Sequence, residues 1–124
     1  MKHLLFVFAL QFTMTMPNLG QITTALSKGD ADGLSKYFDS KVEIEILDNE
    51  DVYSKTEAKG IVKSFFSKHP PKSFQKVHQG QSKGKDGKYF IGNLKTGSKE
   101  YRVYIYTSMK GGKSLIQELR IYED

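Results

Sequence analysis

Cysteine is absent from the 124 residues. That one absence removes disulfide scaffolds, thiolate metal sites, thiol nucleophiles and the cysteine-linked lipid anchor of an envelope protein. Arginine is scarce: Arg102 and Arg120 stand beside 17 lysines in a basic set of 19. Phosphate and base recognition favour the planar guanidinium fork, so a net charge of +5 carried by lysine argues for solubility and against nucleic-acid binding. Long hydrophobic runs are missing as well. The longest, Leu4–Leu10, is far short of the roughly 20 residues a spanning helix needs. What is present, 38% hydrophobic, 27% charged and 12% aromatic residues, is the composition of a folded chain and excludes a disordered or collagen-like one.

The first twenty residues read as an address. Met1-Lys2-His3 is a short positive start, Leu4–Leu10 an apolar stretch, and Thr13–Gly20 a polar segment broken by Pro17. This is the order of a secretory signal, with cleavage expected after Gly20; Asn18 fits the position three before the cut poorly, and small Gly20 fits the last. The alternative is a buried N-terminal helix, but Leu4–Leu10 is apolar all round rather than along one stripe. The expected organisation is a signal peptide over 1–20 and a single domain over 21–124. The product is a periplasmic or secreted protein that is not a lipoprotein. Loss of the leader removes Lys2 and no acid, so the net charge falls from +5 to +4.

Ile22, Ala25 and Leu26 form an i, i+3, i+4 stripe that stops at Gly29. Asp30 is placed to cap a second short helix in which Leu34, Tyr37 and Phe38 repeat the stripe. Lys41–Leu47 alternates, predicting a strand with Val42, Ile44 and Ile46 inward and Glu43 and Glu45 outward. Asp48–Asp51 reads as a solvated acidic turn and Val52-Tyr53 as a short returning strand. Ser54-Lys55-Thr56-Glu57 is a capping box. It opens a helix with apolar Ala58, Ile61, Val62, Phe65 and Phe66, ended by His69-Pro70-Pro71. Beyond Pro71 the period becomes two, predicting strands over 73–81, 88–96, 100–109 and 113–123, joined by glycine-bearing hairpin turns. Helices segregated from an antiparallel meander make the fold class α+β. A twisted sheet curling around the phenylalanine-rich helix gives a cone whose open end is a natural pocket.

This order resembles the nuclear transport factor 2-like, or cystatin-like, superfamily. More narrowly it is similar to a family of exported proteins of Bacteroidetes-type bacteria known only as a domain of unknown function. The residues that carry the resemblance are Leu34–Phe38, Val52–Lys55, Phe65-Phe66 through Pro70-Pro71, His78–Gly80, Tyr101–Tyr104 and Leu115–Arg120. It spans about residues 20–124. The resemblance implies the fold and no reaction. Superfamily isomerases work with an acidic base and tyrosine or protonated-acid donors in an apolar cone, a constellation not visible here. The resemblance also implies that the sheet face away from the helix is where such domains dimerise.

Candidate site residues are few. His3 falls in the leader, and His69 suits a helix end, where an imidazole meets the negative pole of the macrodipole. By strict alternation His78 shares a face with Phe74, Lys76 and Gly80; it reads as a pocket base or as a half-buried sheet histidine. Glu118, placed with Ile116 and Arg120, is the best inward carboxylate on offer, and an Arg120–Glu118 surface pair explains it more simply. Histidine spacing fits no metal motif. Tyr104 and Tyr106 share a polar face with Arg102, a binding surface or a dimer interface. Lysines cluster at the hairpin turns, as edge protection requires. The sequence thus points to a non-catalytic binding or interaction domain without cofactor or metal. Its ligand, an unidentified small molecule or envelope protein, is expected to meet Tyr53, Phe66, His78, Arg102, Tyr104 or Tyr106. The mouth of the cone is expected between helix 54–68 and strand 73–81. The alternative is a cofactor-free enzyme using His78 or Glu118 with a tyrosine donor.

Overall fold

A computed structural model describes residues 18–82 and 87–124; most of the expected leader lies outside the described residues. Helix α1 (Leu19–Lys28) begins two residues before the expected cleavage point and buries Ile22, Ala25 and Leu26. Gly29, at φ 67°, closes it by turning its own amide and that of Asp30 back to the last carbonyls. The Asp30 carboxylate then accepts from the Gly33 amide at 2.9 Å and starts α2 (Ala31–Ser35). The stripe expected to continue through Tyr37 and Phe38 is cut short. The Tyr37 carbonyl accepts from the Ile116 amide at 2.6 Å, so the chain enters the sheet and Phe38 opens strand β1 (Phe38–Ile46).

A tight turn at Leu47 and Asp48, both at positive φ, leads to β2 (Asn49–Ser54). Most of the predicted acidic turn is therefore strand. The capping box is present: Ser54 Oγ accepts from the Glu57 amide at 3.2 Å and Glu57 accepts from the Ser54 amide at 3.0 Å, opening α3 (Lys55–Lys68). The meander follows as β3 (Ser73–Gln81), β4 (Gly87–Lys95), β5 (Glu100–Lys110) and β6 (Lys113–Glu123). The sheet order is β2-β1-β6-β5-β4-β3. Every pair is antiparallel except β1 with β6, which run parallel and join the hairpin to the meander.

The inner face supplies Val42, Ile44, Phe90, Leu94, Tyr101, Val103, Ile105, Ile116, Leu119 and Ile121, all buried against α1, α2 and α3. Besides a register shift between Phe38 and Glu43 in the β1–β6 ladder, two bulges bend the meander. Val77 lies between the pairs Lys76–Gly92 and His78–Ile91, and Gln117 between Thr107–Ile116 and Tyr106–Glu118. Each extra residue flips the alternation beyond it. Strict period two is therefore corrected at both places. Ile116 is buried on the inner face while Glu118 and Arg120 point outward, and His78 lies on the outer face beside Tyr89, not with Phe74.

Gly92 marks a close approach on the inner face. The Phe74 ring lies over it and packs edge-on against Phe90 with centroids 6.0 Å apart. A Cβ there would meet the Phe74 ring and stand 2.7 Å from the Gln75 carbonyl oxygen, which the strand fixes in place. Gly92→Ala is expected to lower stability by about 1–3 kcal/mol, read as a lower urea midpoint at unchanged m-value.

Candidate functional site

The cone opens at the end where β1, β2 and α3 diverge. A cleft of about 550 Å³ lies there, within the range of small-molecule sites. Period-two alternation in β2 turns Asn49, Asp51 and Tyr53 toward it, because they pair with inward Ile46, Ile44 and Val42. From α3 the stripe Ile61, Ser64, Phe65 and Lys68 faces the same space, with His69 at the helix end. Ile44, Ile46, Leu47, Ile61 and Phe65 form the apolar floor. The mouth thus lies between α3 and the β1–β2 hairpin. Strand 73–81, expected to line it, runs along the opposite edge of the sheet.

His69 caps α3 through its amide, which donates to the Phe65 carbonyl at 2.8 Å. Its imidazole does more than face a dipole. Nδ1 is 3.1 Å from the Tyr101 hydroxyl, and the ring packs against Phe65 at 4.8 Å, tilted by 36°. Tyr101 is 1% exposed, so this phenol is sealed behind the imidazole. When the phenol donates to Nδ1, the ring proton sits on Nε2, a donor for the cleft. The hydroxyl of Tyr53, Ser64 Oγ, the side-chain carboxamide of Asn49 and Lys68 Nζ have no partner among the described residues. A second concavity, about 560 Å³ between α1 and α2, offers only Ala25 and Tyr37 as apolar wall.

Of the six residues expected to meet a ligand, Tyr53 alone lines the cleft. Phe66 is buried in the core. His78, Arg102, Tyr104 and Tyr106 are brought to the outer face. There His78 Nε2 lies 3.3 Å from the Tyr89 hydroxyl, and Tyr89 stacks on Tyr104 at 5.9 Å. Arg102 is engaged, donating to Asn93 at 3.0 Å and pairing with Asp124 at 3.6 Å. Sequence reasoning missed Asp51, Ile61, Lys68 and the inward side of His69. A signal existed: the Ile61–Phe65 stripe continues onto Lys68, so the helix face that packs the core runs past its edge with polar ends.

Arg120 organises the rest of the outer face. It donates to Glu45 at 2.6 Å, Glu118 at 3.2 Å, and Glu43 and Glu50 at 3.4 Å. Burial opposes its charge, but the bonds to Glu45 and Glu118 prevail and hold the guanidinium protonated. One cation cannot balance four carboxylates. Glu43 and Glu50 share a hydrogen bond; that bond, burial and neighbouring Glu118 raise the Glu43 carboxyl above its ordinary range, while Glu50 is lowered. Asp39 behaves oppositely. A hydrogen bond from Lys110 at 2.8 Å lowers its pKa against the effect of burial, with the Ser40 amide assisting. It also accepts from Gln117, the bulge residue, at 2.8 Å. Among the described residues no group of three metal-binding side chains converges, and no helix is long and apolar enough to cross a membrane.

Residues 19–122 match the family described as Domain of unknown function (DUF4783). The chain belongs to the DUF4783 family. A DUF4783 family protein from Bacteroides uniformis ATCC 8492 is 28% identical, with a TM-score of 0.79 over 86% of this chain and 96% of that one. Two Silicibacter pomeroyi DSS-3 proteins share the fold alone. One, of cystatin-like fold, is 12% identical with a TM-score of 0.66, over 92% of this chain and 78% of that one. The other, an NTF-2 like protein of unknown function, is 12% identical with a TM-score of 0.62 over the whole of both chains. No curated protein matches.

The two carboxylates give this DUF4783 domain a testable pH signature. A lowered Asp39 contributes stability above the ordinary carboxylate range and loses it as pH falls through its folded pKa. A raised Glu43 contributes below that range and loses it as pH rises through its folded pKa. Urea midpoints between about pH 3 and pH 7 should therefore diverge, bracketing the ordinary carboxylate pKa near 4. Relative to the parent, Asp39→Asn is most costly at neutral pH, whereas Glu43→Gln gains as pH rises.

Proposed function

We propose that this chain is an exported, non-catalytic binding domain whose ligand occupies the cleft between α3 and the β1–β2 hairpin. The carrying observation is the contrast inside the cleft between an apolar floor and unpartnered polar walls at Asn49, Tyr53, Ser64 and Lys68. Export is supported by the order of residues 1–20. Catalysis by His78 or Glu118 has no geometric support, because both face outward and neither lines the cleft. A histidine–tyrosine pair does stand at the cleft, as His69 with Tyr101. Its phenol is sealed from any ligand, which favours a fixed recognition donor over a proton relay.

A panel of small amphiphiles titrated into ¹⁵N-labelled protein is expected to move amide resonances of 44–53 and 61–69. Ile61→Trp, which fills the cleft, should abolish those shifts without unfolding the domain. Shifts confined to the outer face, or none across the panel, would overturn the assignment.

The outer face supports a homodimer reading. Tyr89, Ile91, Tyr104 and Tyr106 form a half-buried patch, and burial raises the pKa of Tyr104, followed by the effect of Glu118. Sedimentation equilibrium is expected to show a dimer that Tyr104→Lys dissociates; a monomer at all concentrations would remove this reading.

A further inference from the structure

The two banks of the cleft carry opposite charge. Its hairpin bank has Asp51, and Glu50 whose carboxylate is turned to Arg120 at 3.4 Å, and its helix bank has Lys68 and His69 and no acid. These charges do not meet. Among the described residues Lys68 makes no ion pair within 4.0 Å, and the Asp51 carboxylate accepts only from the amide of its neighbour Val52, at 2.8 Å. Where acid and base stand close enough on the surface they do pair: Asp32 with Lys59 at 3.0 Å, Asp39 with Lys110 at 2.8 Å and Glu123 with Lys99 at 2.9 Å. In the cleft the acid and the base are held apart across the apolar floor of Ile44, Ile61 and Phe65.

Resting on the cleft reading above, we propose that the site takes a small zwitterion: a primary ammonium and a carboxylate on an apolar body. That is the chemistry of a free apolar amino acid or a short apolar peptide. The ammonium lies on the Asp51 bank, and the carboxylate meets Lys68 and the His69 Nε2 donor. The apolar side chain covers Phe65 and Ile61. A ligand with only one of these charges leaves the opposite bank desolvated and unpaired, which costs affinity. The separation of the banks beyond ion-pair distance favours a peptide, whose two termini stand further apart than the charges of one amino acid.

The test uses the full domain, titrated by NMR with leucine and with Leu-Leu. The dipeptide is also presented N-acetylated, C-amidated and blocked at both ends. Leu-Leu is expected to bind about tenfold more tightly than either singly blocked form. Lys68→Gln should weaken Leu-Leu several-fold and leave its amide unaffected, and Asp51→Asn should do the same against the N-acetyl form. Both substituted side chains are exposed, so folding is preserved. Equal binding of the doubly blocked peptide overturns the zwitterion and leaves the cleft reading standing. So does a panel in which only uncharged amphiphiles bind. Failure of every peptide and every amphiphile to move the cleft amides overturns both. Leucine binding as tightly as Leu-Leu would assign the site to free amino acids.

Discussion

The parallel ladder between β1 and β6 is the join on which the molecule depends, because it unites strands whose clasping residues stand 75 positions apart in the chain. Hairpin turns bring β3 to β6 together locally, whereas β1 is separated from its partner β6 by β2, α3 and the rest of the meander. Such non-local pairing must offset loop-closure entropy with contacts of its own. It does so on both faces. Inside, Ile44 pairs with Leu119 and Ile46 with Ile121, closing the core over α3. Outside, Arg120 reaches back to Glu43 and Glu45 on β1 and on to Glu50 on β2. Without that ladder the hairpin has no fixed position, and the cleft loses the bank that carries Asn49, Asp51 and Tyr53.

The bulge at Gln117 lets one strand serve both requirements. Ile116 and Leu119 both face the core although three residues apart, so Gln117 and Glu118 both face out. Gln117 is then used twice, donating to Asp39 and to Ser108 at 2.8 and 2.9 Å. Asp39 in turn accepts from Lys110, fixing the start of β1 to the β5–β6 hairpin. Backbone irregularity and charge placement therefore cooperate: the inserted residue sets the face of Arg120, and Arg120 holds the hairpin that shapes the cleft.

Elements written in local chemistry were legible in the sequence. Ser54 and Glu57 announce α3, Gly29 and Asp30 punctuate the first two helices, and the inward side of β5 follows from Tyr101, Val103 and Ile105. What could not be read depends on partners distant in the chain. Phe38 fits a helical stripe as well as it fits a strand, and only the backbone of Ile116 decides. Bulges at Val77 and Gln117 carry no residue signature, yet each reverses the side on which a candidate functional residue stands. His78 and Glu118 were misplaced for that reason. The cleft escaped because its banks come from β2 and α3, whose divergence is a tertiary fact.

The distribution of unsatisfied groups then separates two surfaces that composition alone makes alike. On the outer face the two arginines and His78 have partners: Arg120 reaches four carboxylates, Arg102 meets Asn93 and Asp124, and His78 lies against the Tyr89 hydroxyl. A ligand binding there would have to displace bonds already made. In the cleft the polar side chains of Asn49, Tyr53, Ser64 and Lys68 have no partner among the described residues and stand next to apolar surface that would gain by being covered. Pre-organisation sharpens the difference, since His69 is held in place by Tyr101 behind it and by Phe65 beneath it. The sealed phenol thus acts through the imidazole, fixing which nitrogen the cleft presents. Tyr101 is thereby both a core side chain and the support of the imidazole in front of it.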